Sequence, residues 1–180
     1  MKKRTLFFVA VFTFLTTTIF AQTLIAPHFD EGVDLVSAVF RLAGAKEYNK
    51  CLIEHYGESF DEYFAEYKNH SAVRYAQIYY NNFGIGYDAV ASYGTHLIIN
   101  DDGFISFNPN IDEKSDNSFN RWTDQQKRDF LIKLNDFYRE SNFHQWYEST
   151  SETRTAAEQA FQSLYQSIDF HYNYFELFLC

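Results

Sequence analysis

The chain has 180 residues, with 24 Asp and Glu against 15 Lys and Arg and a formal charge of −9. An acidic field of that size disfavours nucleic acid and anionic membranes as partners. Twenty Phe, fourteen Tyr and two Trp stand against only seven Gly and two Pro, a balance that fits long helices with few turns.

In chain order, Lys2, Lys3 and Arg4 precede an apolar run from Leu6 to Leu15 that only Thr13 interrupts, and Ile19-Phe20-Ala21 follows. That is the basic start, apolar core and small-residue exit of a secretory signal, with cleavage after Ala21. The rival reading is an uncleaved anchor, against which the apolar core is short for a spanning helix of about 20 residues. No cysteine stands immediately after the cleavage point to carry a lipid, and no later stretch is apolar for long enough to cross a bilayer. The expected organisation is a signal peptide over 1–21, an extended lead-in over 22–31 containing Pro27, and one domain over 32–180. Twelve of the Lys and Arg and all 24 acids follow the leader, so the exported chain carries −12 and no membrane attachment. A chain of that length buries about 70% of its unfolded surface and needs no staples.

Val33, Leu35, Val36, Val39, Phe40 and Leu42 recur at helical spacing, and Gly44 stands where a C-terminal cap belongs. Leu52, Ile53 and Tyr56 predict a shorter helix stopped at Gly57, and Phe60, Tyr63, Phe64 and Tyr67 another over 59–67. Ser71 caps a helix running through Asn82, with Val73, Ala76, Tyr79, Tyr80 and Phe83 inward and Gly84 and Gly86 ending it. Tyr87 to Gly94 continues as one more helical piece.

The period then changes. His96-Leu97-Ile98-Ile99 and Phe104-Ile105-Ser106-Phe107 flank Asn100-Asp101-Asp102-Gly103, whose Asp-Gly step signals a β-hairpin. Asn108 to Asn120, rich in Asn, Asp and Ser, reads as a surface loop.

The most legible stretch is 122–138. Thr123 and Gln126 form a capping-box pair, and Phe130, Leu131, Leu134, Phe137 and Tyr138 make one apolar stripe. Lys127, Lys133, Asp136 and Arg139 are expected elsewhere on the cylinder. Residues 143–167 are again helical, with Trp146, Ala157, Ala160, Phe161, Leu164 and Tyr165 inward and the polar run Glu148–Thr155 exposed. Asp169–Cys180 is strongly apolar: either a last helix packs beneath the domain, or the chain stops inside something once longer. The fold class expected is mainly α, a single-domain, bundle-like helical array with one small β-hairpin near residues 96–107.

Common catalytic patterns are missing from the sequence. No His-Glu-x-x-His occurs. The inverted zinc motif is nearly spelled by Cys51-Leu52-Ile53-Glu54-His55, with cysteine where a histidine should stand. Cys51 reads better as a small buried apolar residue. Cys51 and Cys180 could pair in an oxidising compartment, but their spacing does not demand it. No Gly-x-Ser-x-Gly elbow, phosphate loop or dinucleotide fingerprint appears. The run Asn108-Pro109-Asn110-Ile111-Asp112 resembles the start of a calcium loop without its glycine and closing glutamate. Asp61 with Glu62, or Glu152 with Glu158, would be carboxylate pairs for glycoside chemistry, yet such pairs are common on solvated helix faces. Asn69-His70-Ser71 is a glycosylation sequon in a host that uses one. No catalytic residue, metal ligand or cofactor is therefore assigned.

One candidate cleft remains. Tyr93, His96 and Trp122 lie at the junctions around the hairpin, where irregular backbone and aromatic rings line binding sites for a peptide or glycan. The competing reading has His96 capping or packing at a helix end.

Five segments, Leu35–Gly44, Phe64–His70, Tyr87–Val90, Arg121–Thr123 and Leu134–Phe143, carry a resemblance across most of residues 32–170. In them the chain resembles the N-terminal half of an uncharacterised, domain-of-unknown-function family of secreted bacterial proteins whose longer members resemble zinc metallopeptidases. The resemblance implies a helical, exported domain of peptidase-like lineage. In that family the His-Glu-x-x-His segment lies further along than this chain extends, so no ligand or catalytic glutamate transfers to any position here. It implies a truncated member without the metal-binding motif; the alternative is a stand-alone peptide- or glycan-binding module.

Overall fold

The computed structural model describes residues 28–50, 53 and 56–167, with side chains described as far as Ser163. The expectations for the leader at 1–21, for the lead-in before His28, for Cys51, Leu52, Glu54 and His55, for Leu164 and Tyr165 as inward side chains, and for the apolar tail at 169–180 lie outside this description. The described chain carries seven α-helices and one two-stranded antiparallel sheet, a mainly α architecture with a single hairpin.

Helix α1 (Glu31–Leu42) is central. The Asp30 carboxylate accepts the Val33 N–H at 2.9 Å, and Glu31 and Asp34 add negative charge to the first turn, where the helix dipole favours it. At the other end Gly44 takes φ +84°. Its N–H donates to the Arg41 carbonyl at 3.0 Å and that of Ala45 to Phe40 at 3.1 Å, the two bonds of a Schellman cap. Leu35, Val36, Val39 and Phe40 are fully buried, because α1 meets α3, α4, α5 and the hairpin on different sides. Each such side chain contributes roughly 1.5–3 kcal/mol by leaving water.

Helix α2 (Tyr56–Tyr63) includes Gly57 in its first turn, where the sequence suggested a stop. The helix expected over 59–67 is divided. A 3₁₀ turn over Ala65–Asn69 begins after Phe64, whose ring is buried among Phe60, Phe137, Phe143 and Trp146. Helix α3 (Ser71–Phe83) is capped by His70 rather than Ser71, the His70 Nδ1 accepting the Ala72 N–H at 3.1 Å. Along α3, Tyr75, Tyr79 and Phe83 stack at 4.4 and 5.0 Å. Phe83, expected inward, ends that ladder and is 59% exposed.

The entry to α4 (Asp88–Thr95) is strained. Tyr87 holds φ +48° and ψ −118°, a backbone state that suits glycine. Two buried groups clamp it. Glu47, 3% exposed in the 3₁₀ turn Lys46–Asn49, accepts the Tyr87 N–H at 3.3 Å, and the Tyr48 hydroxyl donates to the Tyr87 carbonyl at 3.1 Å. The second Glu47 oxygen accepts the Tyr80 hydroxyl at 2.9 Å.

The hairpin pairs β1 (Leu97–Ile99) with β2 (Ile105–Phe107) in the register Leu97↔Phe107, Ile98↔Ser106, Ile99↔Ile105. Its turn closes through Gly103 N–H to the Asn100 carbonyl at 2.8 Å. The outer edge of β2 is covered by Asn135 of α5. The Asn135 Oδ1 accepts the Ile105 N–H at 2.8 Å and its Nδ2 donates to the Ile105 carbonyl at 2.9 Å. A side-chain amide thus stands where a third strand would pair.

Helix α5 (Asp124–Glu140) starts with both capping-box bonds in place. Phe130, Leu134 and Phe137 are fully buried, as the stripe requires. Lys127, expected on the polar side, is 4% exposed. The reason is azimuthal: residue 127 precedes 130 and 131 by three and four positions and so lies on their face.

The helix expected over 143–167 breaks at Thr150 into α6 (Phe143–Ser149) and α7 (Ser151–Ser167). The Thr150 hydroxyl bonds the carbonyls of Trp146 and Tyr147 at 3.0 Å, and Arg154 donates to Tyr147 O and to Thr150 Oγ1, so the end of α6 is capped from α7. Thr150 and Arg154 are buried within a run expected to be exposed, while Ala160, expected inward, is exposed. Two aromatic groups fill the interior. Phe40, Tyr93, Trp122 and Phe130 form one, with the Trp122 and Phe130 rings stacked at 5.2 Å. Phe60, Phe64, Phe137, Phe143 and Trp146 form the other. Among the described residues, no helix is long and apolar enough to cross a membrane.

Candidate functional site

The C-terminal end of α4, the loop 108–120 and the first turns of α5 converge below the hairpin. The loop is tied to itself by short polar side chains. Asn108 Oδ1 accepts the Asn110 N–H at 3.0 Å, and Asp112 Oδ1 accepts the Lys114 N–H at 3.1 Å, opening a 3₁₀ turn over Glu113–Ser115. Asp116 Oδ1 accepts the N–H groups of Ser118 and Phe119 at 2.8 and 3.0 Å. Its other oxygen accepts the Ser92 hydroxyl at 2.6 Å. Partial burial pushes the Asp116 pKa up, but these hydrogen bonds and nearby His96 outweigh it and leave the carboxyl below its ordinary value.

Phe119, fully buried in the 3₁₀ turn Phe119–Arg121, is the pivot. The His96 ring lies parallel to it at 3.9 Å and 2°, and the Lys127 ammonium sits 3.8 Å from its centroid. Two groups so close cannot share a face, so the benzene ring separates imidazole from ammonium. His96 Nδ1 is 2.8 Å from the Ser92 carbonyl, which only accepts, so that nitrogen carries the proton. Its Nε2 is buried and finds no hydrogen-bond partner among the described residues.

Among the described residues the Lys127 ammonium has one hydrogen bond, to Asn120 Oδ1 at 3.2 Å. Glu113 Oε2 and Asp124 Oδ1 stand at 3.6 and 4.0 Å, within ion-pair reach and beyond hydrogen bonding. Asn120 sets this spacing, because its Nδ2 donates to the Glu113 carbonyl at 2.8 Å while its oxygen takes Lys127. Outside lies an open basin of about 630 Å³, walled by Pro109, Ile111, Asp112, Lys114 and these polar groups.

The three residues named from sequence come together here, with their faces buried. Tyr93 is fully buried, His96 is 3% exposed and Trp122 2%. Tyr93 and Trp122 touch directly at 5.0 Å, and Phe119 packs against Tyr93 at 5.8 Å and His96 at 3.9 Å. The Tyr93 hydroxyl donates to the Lys127 carbonyl at 2.7 Å and the Trp122 indole to Ala89 at 2.9 Å. Burial pushes the Tyr93 phenol well above its ordinary value. His96 packs at the end of α4, the competing reading of that residue. Lys127, Asn120, Glu113 and Asp124 were missed, and only the place of Lys127 on an apolar stripe could have flagged them.

One member of each candidate carboxylate pair has a structural partner. Asp61 pairs with Arg41 at 2.7 Å, and Glu158 accepts the Phe29 N–H at 2.7 Å. Among the described residues, no three His, Cys, Asp or Glu side chains are grouped to hold a metal ion. No protein-family model, no curated protein and no solved structure matches the chain.

Proposed function

We propose that this chain is a non-catalytic helical domain of an exported protein from a zinc-metallopeptidase-like lineage. The composition of residues 1–21 supports export. The observation that carries the lineage reading is how the segments bearing the resemblance interlock. Arg121 pairs with Asp88 at 2.6 Å and the Trp122 indole donates to Ala89, so Tyr87–Val90 and Arg121–Thr123 form one joint. Phe64 and Phe137, from two further segments, stack at 5.9 Å. Packing of this kind supports a reading at the level of fold rather than of chemistry. The buried charges fit this role: Glu47 holds a turn and Arg154 caps a helix.

Two measurements test the proposal. The coding DNA beyond the Cys180 codon is expected to continue, in frame or after a frameshift, into His-Glu-x-x-His; its absence there removes the main support. The purified chain is expected to retain no stoichiometric zinc and to leave peptide substrates intact, and hydrolysis by it would overturn the proposal.

A second reading, a stand-alone module for a peptide or glycan, is favoured by one observation. The basin beside Lys127 is open and polar, and a buried ammonium stands at its floor.

A further inference from the structure

We propose that the basin beside Lys127 binds a neutral saccharide through its hydroxyl groups, an inference that rests on the second reading above. Its volume of about 630 Å³ falls within the range of small-ligand sites, about 300–1,000 Å³. The Lys127 side chain is 5% exposed, yet among the described residues only one of its three N–H donors has a hydrogen-bonding acceptor, Asn120 Oδ1, and its ammonium also lies against the Phe119 ring. Glu113 and Asp124 stand too far away to accept a bond from the ammonium and close enough for one atom to bridge them. A hydroxyl is a group that fits, able to displace a bridging water. It accepts from the ammonium and donates to a carboxylate at the same time.

Charge disfavours the alternatives. Asp112, Glu113 and Asp124 outnumber Lys114 and Lys127 and oppose an anion, and the Lys127 ammonium occupies the place a cation would take. Pro109 and Ile111 supply an apolar wall against which the C–H face of a sugar ring can lie. The site is also preorganised, since both ends of the Asn120 amide are engaged and the loop is braced by Asp112 and Asp116.

NMR titration of the purified chain tests this, with cellotriose, chitotriose and maltotriose as probes and tetra-alanine and tri-lysine as competing chemistries. At least one saccharide is expected to move the amides of Glu113, Lys114 and Asn120, including the Asn120 side chain. Glu113→Gln and Asp124→Asn alter side chains that are 44% and 82% exposed, so the fold should persist. Each is expected to weaken binding by about tenfold. Unchanged affinity in both variants, or a basin that answers only to the peptides, overturns the proposal. Saccharide shifts confined to exposed Phe83 and Tyr87 overturn the basin and keep the glycan-module reading. Silence toward every probe overturns both.

Discussion

Gly94 of α4 meets Val33 of α1 backbone to backbone: a β-carbon on Gly94 would lie 2.4 Å from the Val33 Cα and 2.8 Å from its nitrogen. Gly32 faces the same crossing, its β-carbon position 2.8 Å from the Gly94 carbonyl. The obstacles are backbone atoms, which cannot turn aside as a side chain can. Gly94→Ala should therefore destabilise by roughly 2 kcal/mol or more, although alanine is the better helix former by about 1 kcal/mol. Gly44→Ala is the control. No neighbour lies within 4 Å of its β-carbon position, and only its φ of +84° opposes the change, so a loss of about 1 kcal/mol is expected. Urea midpoints of the two variants rank them; a Gly94→Ala protein as stable as the parent would refute the crossing.

Tyr87 supplies the opposite case, a residue that glycine should improve. Its backbone state costs about 1–3 kcal/mol, and its ring is 58% exposed, so little packing offsets that cost locally. Tyr87→Gly is expected to gain about 1 kcal/mol after the entropy of a freer unfolded chain is deducted. Tyr87→Ala keeps the strain and loses the ring, so it should fall below both. The ordering glycine above tyrosine above alanine in thermal unfolding is the diagnostic result.

Asn135 joins helix to hairpin through two buried bonds to Ile105. Asn135→Leu removes both partners and leaves a buried N–H and carbonyl without replacements, at a cost of about 2–4 kcal/mol. Asn135→Asp keeps the acceptor for the Ile105 N–H and loses the donor to its carbonyl. Hydrogen exchange at the Ile105 amide should accelerate in the leucine variant and stay slower in the aspartate one. Equal exchange in the two would show that the edge is held by something else.

Local rules made much of this fold legible. The Thr123–Gln126 box, the Gly44 cap and the turn at Gly103 are decided within a few residues, and each is where the sequence places it. The break at Thr150 was hidden because it depends on Arg154 reaching back to bond the Tyr147 carbonyl, a contact that periodicity does not encode. The candidate site failed to read for a related reason. An irregular junction beside Tyr93, His96 and Trp122 looks the same in sequence whether the space between is open or filled. Here it is closed: Phe119, over twenty residues from His96, packs against His96 and Tyr93, and Tyr93 touches Trp122 directly. Lys127 was the one readable clue, since a lysine on the azimuth of Leu131 and Leu134 must either be buried or disrupt the stripe.

Buried phenols set an alkaline limit on the fold. Burial raises Tyr48, Tyr56 and Tyr93 above the ordinary tyrosine value of 10.0. A raised value in the folded state means that folding holds those protons more tightly. The associated stability is fully present below pH 10.0 and is lost as the pH climbs toward the folded values. Each phenol that ionises only on unfolding steepens the loss by about 1.4 kcal/mol per pH unit. Tyr93→Phe should therefore flatten the alkaline limb by one proton. At neutral pH it should cost about 1 kcal/mol, because the Lys127 carbonyl loses its donor. Phenolate absorbance followed together with circular dichroism checks both points. These three tyrosines should ionise in step with the loss of helix, and a smooth titration near pH 10 with helix intact would contradict their burial.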